Sequence, residues 1–76
     1  MKKSIYQQIK ETGVEISNHY SDLYVPQNKT TLPIIAAYRK EGHTVEVFRN
    51  NIDGKNWYDI PFAYEPYWEM VANKKI

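Results

Sequence analysis

Between Trp57 and Trp68 stand six of the chain's eleven aromatic residues: Trp57, Tyr58, Phe62, Tyr64, Tyr67 and Trp68. No other stretch restricts the fold as much. A 76-residue chain without cysteine has neither a disulfide framework nor a thiolate zinc site to hold it together. Domains of this size bury only about 60% of their unfolded surface. Rings that each bury roughly 150–250 Å², or a partner subunit, must supply what a small core lacks. The same residue types anchor protein interfaces. The segment is therefore a source of core and of contact surface at once.

Just before it, Asp53-Gly54 is the strongest hairpin signal in the chain. A two-residue turn there sets Ile52 against Lys55, Arg49 against Tyr58, Val47 against Ile60 and Val45 against Phe62. The last three pairs share one face, apolar enough to meet a helix. Glu46, Phe48, Asn50, Trp57 and Asp59 share the other. On that face Phe48 and Trp57 are diagonal neighbours within reach of each other.

The remaining elements follow with short joints, as in a single domain over 1–76. Ser4 with Gln7 three residues on predicts a capped helix over 4–12, with Ile5 and Ile9 on one face and Gly13 ending it. Residues 14–18 alternate as a strand. His19-Tyr20-Ser21-Asp22 is turn-like, Leu23-Tyr24-Val25 is strand-like, and Pro26 stops it. The apolar phase shifts between the two runs, which requires a bulge or a tight reversal. Thr30 or Thr31 is placed to cap a helix over 31–41 carrying Ile34, Ile35 and Tyr38. Pro33 is tolerable in its first turn. Pro66 suits the start of a last helix over 66–73, with Tyr67, Met70 and Val71 turned inward. The expected fold is α+β: a small antiparallel sheet with a central hairpin, packed on the 31–41 helix, with short terminal helices.

The net charge of +1 favours neither a nucleic-acid binder nor its acidic mimic. Lys2, Lys3, Lys74 and Lys75 lie at the two ends. Between Asn56 and Asn73 stand Asp59, Glu65 and Glu69 with no Lys or Arg, a poor setting for phosphate. No apolar run approaches the roughly 20 residues that span a bilayer. Residues 4–8 are too polar for a signal-peptide core, so the expected location is the cytoplasm.

Chemistry-bearing patterns are few. His19 with Asp22 and Ser21 could serve as base, orienting acid and nucleophile of a small hydrolase. Triads, however, are assembled by the fold and not by neighbours in one turn, and Asn, Ser and Asp commonly shape turns through their own backbone bonds. His19 and His43 lack the helical spacing of a two-histidine metal site. There is no glycine-rich phosphate loop. The residues thus imply no catalytic set, cofactor or metal. Glu46, Phe48, Trp57, Asp59, Tyr64 and Trp68 are the expected partner-binding residues. His19 and Asp22 are the polar candidates. Arg49 and Lys55 with exposed rings would serve a nucleic-acid binder. Pairing of the aromatic face with itself would give a homo-oligomer.

Two strings, Asn18-His19-Tyr20-Ser21-Asp22-Leu23-Tyr24-Val25-Pro26 and Ile52-Asp53-Gly54-Lys55-Asn56-Trp57-Tyr58-Asp59-Ile60-Pro61-Phe62-Ala63-Tyr64, resemble small proteins of bacteriophages and prophages. That resemblance implies an accessory protein of a phage or mobile element in a bacterial cytoplasm. It would act by binding a host protein as an inhibitor or modulator, anti-CRISPR action included. It carries no catalytic residues.

Overall fold

The computed structural model describes residues 3–74; Lys2 and Lys75 of the two basic ends lie outside the described residues. Seven elements run in the order α1 (Ile5–Glu11), β1 (Ser17–His19), β2 (Asp22–Pro26), α2 (Thr31–Lys40), β3 (Glu46–Arg49), β4 (Asn56–Ile60) and α3 (Glu65–Asn73). The strands form one antiparallel sheet in the order β1-β2-β4-β3. The fold is α+β, as the residue pattern predicts. Among the described residues no helix is long and apolar enough to cross a membrane.

α1 begins where Ser4 Oγ accepts from the Gln7 amide at 3.2 Å, and Gly13, at φ 80°, follows its end. β1 and β2 then reverse tightly through Tyr20-Ser21, so that His19 faces Asp22. Tyr20 takes φ 54°, the left-handed backbone that two-residue hairpin turns require at their first central position. Reversal, not a bulge, explains the phase shift. Val14 and Ile16 precede the ladder but still pack against the core.

The start of α2 departs from the expected threonine cap. Thr30 makes no side-chain cap bond. Asn28 Oδ1 accepts from the amides of Thr30 and Thr31, both at 2.9 Å, because its short side chain reaches amides two and three residues on. Thr31 is wholly buried, and its hydroxyl donates to the Pro26 carbonyl at 2.6 Å. That bond ties the start of α2 to the end of β2.

The β3–β4 register is displaced by two residues from the expected one. Val47 faces Tyr58, and Phe48 faces Trp57. Residues 51–54 form a four-residue loop in place of a two-residue turn at Asp53-Gly54. The Asn50 amide donates to the Lys55 carbonyl at 2.8 Å to close it. Asn50 Oδ1 accepts from the Ile52 amide, and Asp53 Oδ1 from the Lys55 amide. These side chains give the loop its own frame, which outweighs the preference of Asp-Gly for a two-residue turn. Because the displacement is even, the strand residues keep the faces expected for them.

One side of the sheet is the core. Leu23 and Val25 of β2 and Tyr58 and Ile60 of β4 meet Ile5, Tyr6 and Ile9 of α1, Ile35 of α2, and Val45 and Ala63. The expected covering helix, α2, is thus joined by α1. Phe62, expected opposite Val45 on this side, is instead 70% exposed. Pro61 offers no amide to the ladder, so β4 ends at Ile60 and Phe62 turns away at φ 62°. Nor do Tyr67, Met70 and Val71 turn inward: α3 contains no buried residue. α1 and α2 already occupy the inner side. The Tyr64 amide donates to the Ser21 carbonyl at 3.0 Å, which starts α3 beside the β1–β2 turn.

Candidate functional site

Strand parity gathers most of the expected site residues on the side of the sheet opposite the core. His19 comes from β1, Asp22 and Tyr24 from β2, Trp57 and Asp59 from β4, and Glu46 and Phe48 from β3. His19 faces Asp22, Tyr24 faces Asp59, Asp59 faces Glu46, and Trp57 faces Phe48. The contact residues Glu46, Phe48, Trp57 and Asp59 and the polar candidates His19 and Asp22 therefore share one surface. Tyr24 stands at its middle. Its ring lies 4.8 Å from that of Phe48, across the intervening β4, and stacks nearly parallel to His19 at 6.5 Å.

The other expected contact residues are placed differently. Trp57 projects from this side but is only 6% exposed. Its indole Nε1 donates to Asp53 Oδ2 at 3.1 Å, so the loop that carries Asp53 draws it out of solvent. Trp57 is a packing residue here and not a free contact ring. Tyr64 is half-buried against the core, edge-on to Tyr6 at 5.6 Å. Trp68 does face solvent, at 44% exposure. Its Nε1 donates to the Phe62 carbonyl at 3.0 Å, and its ring lies 6.4 Å from that of Phe62. Phe62 and Trp68 form a second aromatic patch beside the β1–β2 turn, where the Phe62 amide approaches Asp22 Oδ1 at 3.4 Å.

The sheet surface is electrostatically strained. Glu46 lies directly opposite Asp59, an arrangement that destabilises like charges. Asp22 is the diagonal neighbour of Asp59 on the other flank, within hydrogen-bonding reach when one carboxyl holds a proton. Burial, reinforced by Asp22 and Glu46, raises the Asp59 pKa above the usual carboxylate value. Asp59 Oδ1 is buried with no hydrogen-bond partner. Burial also pushes the Tyr24 hydroxyl up, with the Asp59 and Asp22 charges adding to it. Asp53 behaves oppositely: the Lys55 amide and the Trp57 indole hold its carboxyl below the usual value.

These shifts carry opposite signs for stability. Asp59 binds its proton more tightly in the folded chain, so it lowers stability as pH rises from the ordinary carboxylate value through its own raised one. Asp53 contributes stability that is complete above the ordinary value and is lost as pH falls through its own lowered one.

The arrangement offers binding more readily than catalysis. His19 is exposed on the edge strand and its ring is engaged with Tyr20 and Tyr24. It lines neither the open cleft of about 670 Å³ between α1 and α3, bounded by Tyr6, Lys10, Glu65 and Glu69, nor the small one between α1 and α2. The carbonyl of Ser21 is bonded to the Tyr64 amide, so that residue serves the turn. Among the described residues no three His, Asp or Glu side chains are grouped so as to hold a metal ion. Neither Tyr24 nor Phe62 is among the residues that the sequence marks for contact. Parity identifies Tyr24 only after β2 is known to pair with β4. Pro61 was the available sign that Phe62 leaves the ladder.

No protein-family model, curated protein or solved structure matches the chain.

Proposed function

We propose that the protein is a non-enzymatic binding protein that holds another protein through the open side of its sheet and the adjoining Phe62/Trp68 patch. The observation that carries this reading is the one-sidedness of the sheet. α1 and α2 cover one side, while the other presents Tyr24 and Phe48 with no element packed over them among the described residues. At its end Phe62 and Trp68 stand in solvent. Aromatic side chains in such positions are the usual energetic centres of interfaces. The resemblance to phage accessory proteins supports a bacterial host protein as the partner, inhibited or modulated by occupancy alone, with anti-defence action as one form. The three carboxylates of the surface repel phosphate, which disfavours the nucleic-acid reading.

Immobilised wild type, Phe48→Ala and Trp68→Ala, incubated with bacterial lysate, test the proposal. The wild type retains a specific protein, and each variant retains at least tenfold less of it, the loss typical of a truncated interface anchor. Identical capture by all three proteins, or none above a denatured bait, removes this function.

A further inference from the structure

The sheet ends on two edges, β1 and β3. β1 is a short polar run, Ser17-Asn18-His19, exposed throughout, the kind of edge that resists further pairing. β3 is different. Antiparallel ladders alternate hydrogen-bonded and unbonded pairs. The Asn50 amide bonds the Lys55 carbonyl, so in the same register Phe48 with Trp57 and Glu46 with Asp59 are bonded pairs. Val47 and Arg49 then aim their amides and carbonyls away from β4. Among the described residues these groups have no hydrogen-bond partner. The strand carries no proline, lysine or bulge to guard it, the usual protections of an exposed edge. Val47 itself is 46% exposed. The free edge is bounded at one end, where the Arg39 guanidinium donates to the Val45 carbonyl. At the other end Arg49 turns its guanidinium toward Gly54 and leaves the backbone uncovered.

The geometry points to a second copy of this chain on that edge, its β3 antiparallel to the first across a two-fold axis normal to the sheet. Such an axis keeps every side chain on its own side, so only residues of like parity face each other. Setting Val47 against Arg49 of the second copy, and Arg49 against its Val47, satisfies every free backbone group of the two edges. Phe48 then faces Phe48 of the second copy as an unbonded pair, the closer kind. That pair extends the aromatic row in which Tyr24 meets Phe48 at 4.8 Å. Each Arg49 stem covers the half-exposed Val47 opposite it. The charges are complementary as well. β3 is acidic at Glu46 and basic at Arg49, and antiparallel pairing brings each basic end to the other's acidic end. The two Glu46 lie about 13 Å apart along the strands, beyond the reach of strong repulsion in physiological salt. The neighbouring registers are worse. Val47 on Val47 needs the Val45 carbonyl that Arg39 holds, and brings the two Glu46 within about 7–8 Å. Arg49 on Arg49 sets like charges directly opposite. Closure about the two-fold axis leaves no β3 edge for a third copy. The pairing uses the edge backbone and does not depend on the host-protein reading.

Sedimentation equilibrium and amide hydrogen exchange of the full chain, at about 10 μM and about 1 mM, test the pairing. At the higher concentration the mass should approach twice that of the monomer. The Val47 and Arg49 amides should exchange there at least about threefold more slowly than in the dilute sample. The Phe48 amide, bonded within one copy, should be protected in both. In a mixture of isotope-labelled and unlabelled chains, the Phe48 α-protons of the two copies should show a nuclear Overhauser contact. Val47→Pro deletes an outward amide and keeps the bonds of Glu46 and Phe48 to β4, so it should remain monomeric at about 1 mM. Val47→Lys keeps every amide, adds a cation beside Arg49 of the second copy, and should do the same. Ser17→Lys on β1 should pair as the wild type does. A wild type that stays monomeric at about 1 mM, a dimer whose protection falls on β1 or α3 and not on Val47 and Arg49, or pairing indifferent to Val47→Lys overturns the inference. Protection of Val47 and Arg49 that appears only when a monomer holds a lysate protein gives the edge to a foreign strand and overturns it equally. Failure of lysate capture with the dimer intact defeats the host-protein reading alone.

Discussion

Trp57→Ala will destabilise the fold by about 3–5 kcal/mol, as truncation of a buried large ring does. The indole is almost wholly enclosed at 6% exposure, and its removal leaves a void beside Phe48 and Pro26. It also deprives Asp53 Oδ2 of its indole donor, freeing the loop over residues 51–54. Small domains have about 5–15 kcal/mol of total stability, so the variant loses a large share of it. Urea denaturation followed by far-ultraviolet circular dichroism measures this. A Trp57→Ala protein with a wild-type midpoint would place the indole on the surface and undo the distinction between Trp57 and Trp68. Trp68→Ala, at an exposed position, should move the same midpoint little.

A comparable loss follows from Leu23→Ala. Leu23 is fully buried and lies opposite Ile60 in the central β2–β4 pair. The substitution removes apolar volume where α1, α2 and the sheet converge, and buried leucine truncations cost about 2–5 kcal/mol. Its neighbour Tyr24 points to the other side of the sheet. Leu23→Ala should therefore lower stability while leaving the amide shifts around Phe48 close to wild type in the folded fraction. Calorimetric unfolding with a parallel two-dimensional spectrum checks both statements. An unchanged melting temperature would contradict the assignment of Leu23 to the core.

These two residues also show where sequence was informative. Leu23 is legible as core because it alternates with Val25 in a short apolar run that Pro26 stops. Helix ends at Ser4 and Gly13 are equally legible, since their chemistry is local. The face of each β3 and β4 residue is legible too, because parity survives an even shift of register. The register itself is not. It depends on bonds made by the side chains of Asn50 and Asp53, and Asp-Gly reads as a two-residue turn whenever those bonds are unknown. The burial of Trp57 follows from that loop and was hidden with it. The pairing of β2 with β4, separated by all of α2 and β3, is non-local, and only that pairing carries Asp22 and Tyr24 to Asp59. The orientation of α3 is illegible for a related reason. Its apolar spacing fits an inward face, but α1 had already filled the place where that face would dock.

The account turns on a sheet surface that retains mutually repelling acids at the expense of stability. Unfolding free energies of wild type and Asp59→Asn, measured from pH 3 to pH 8, test this most directly. The neutral amide removes the repulsion from Asp22 and Glu46 and can donate to either carboxylate. At pH 7 the variant should be more stable by about 1 kcal/mol, the scale of one net hydrogen bond. The gap should close as pH falls through the raised Asp59 value and the wild-type carboxyl takes up its proton. A variant no more stable than wild type at pH 7, or a gap that does not change with pH, would show that Asp59 carries no such strain.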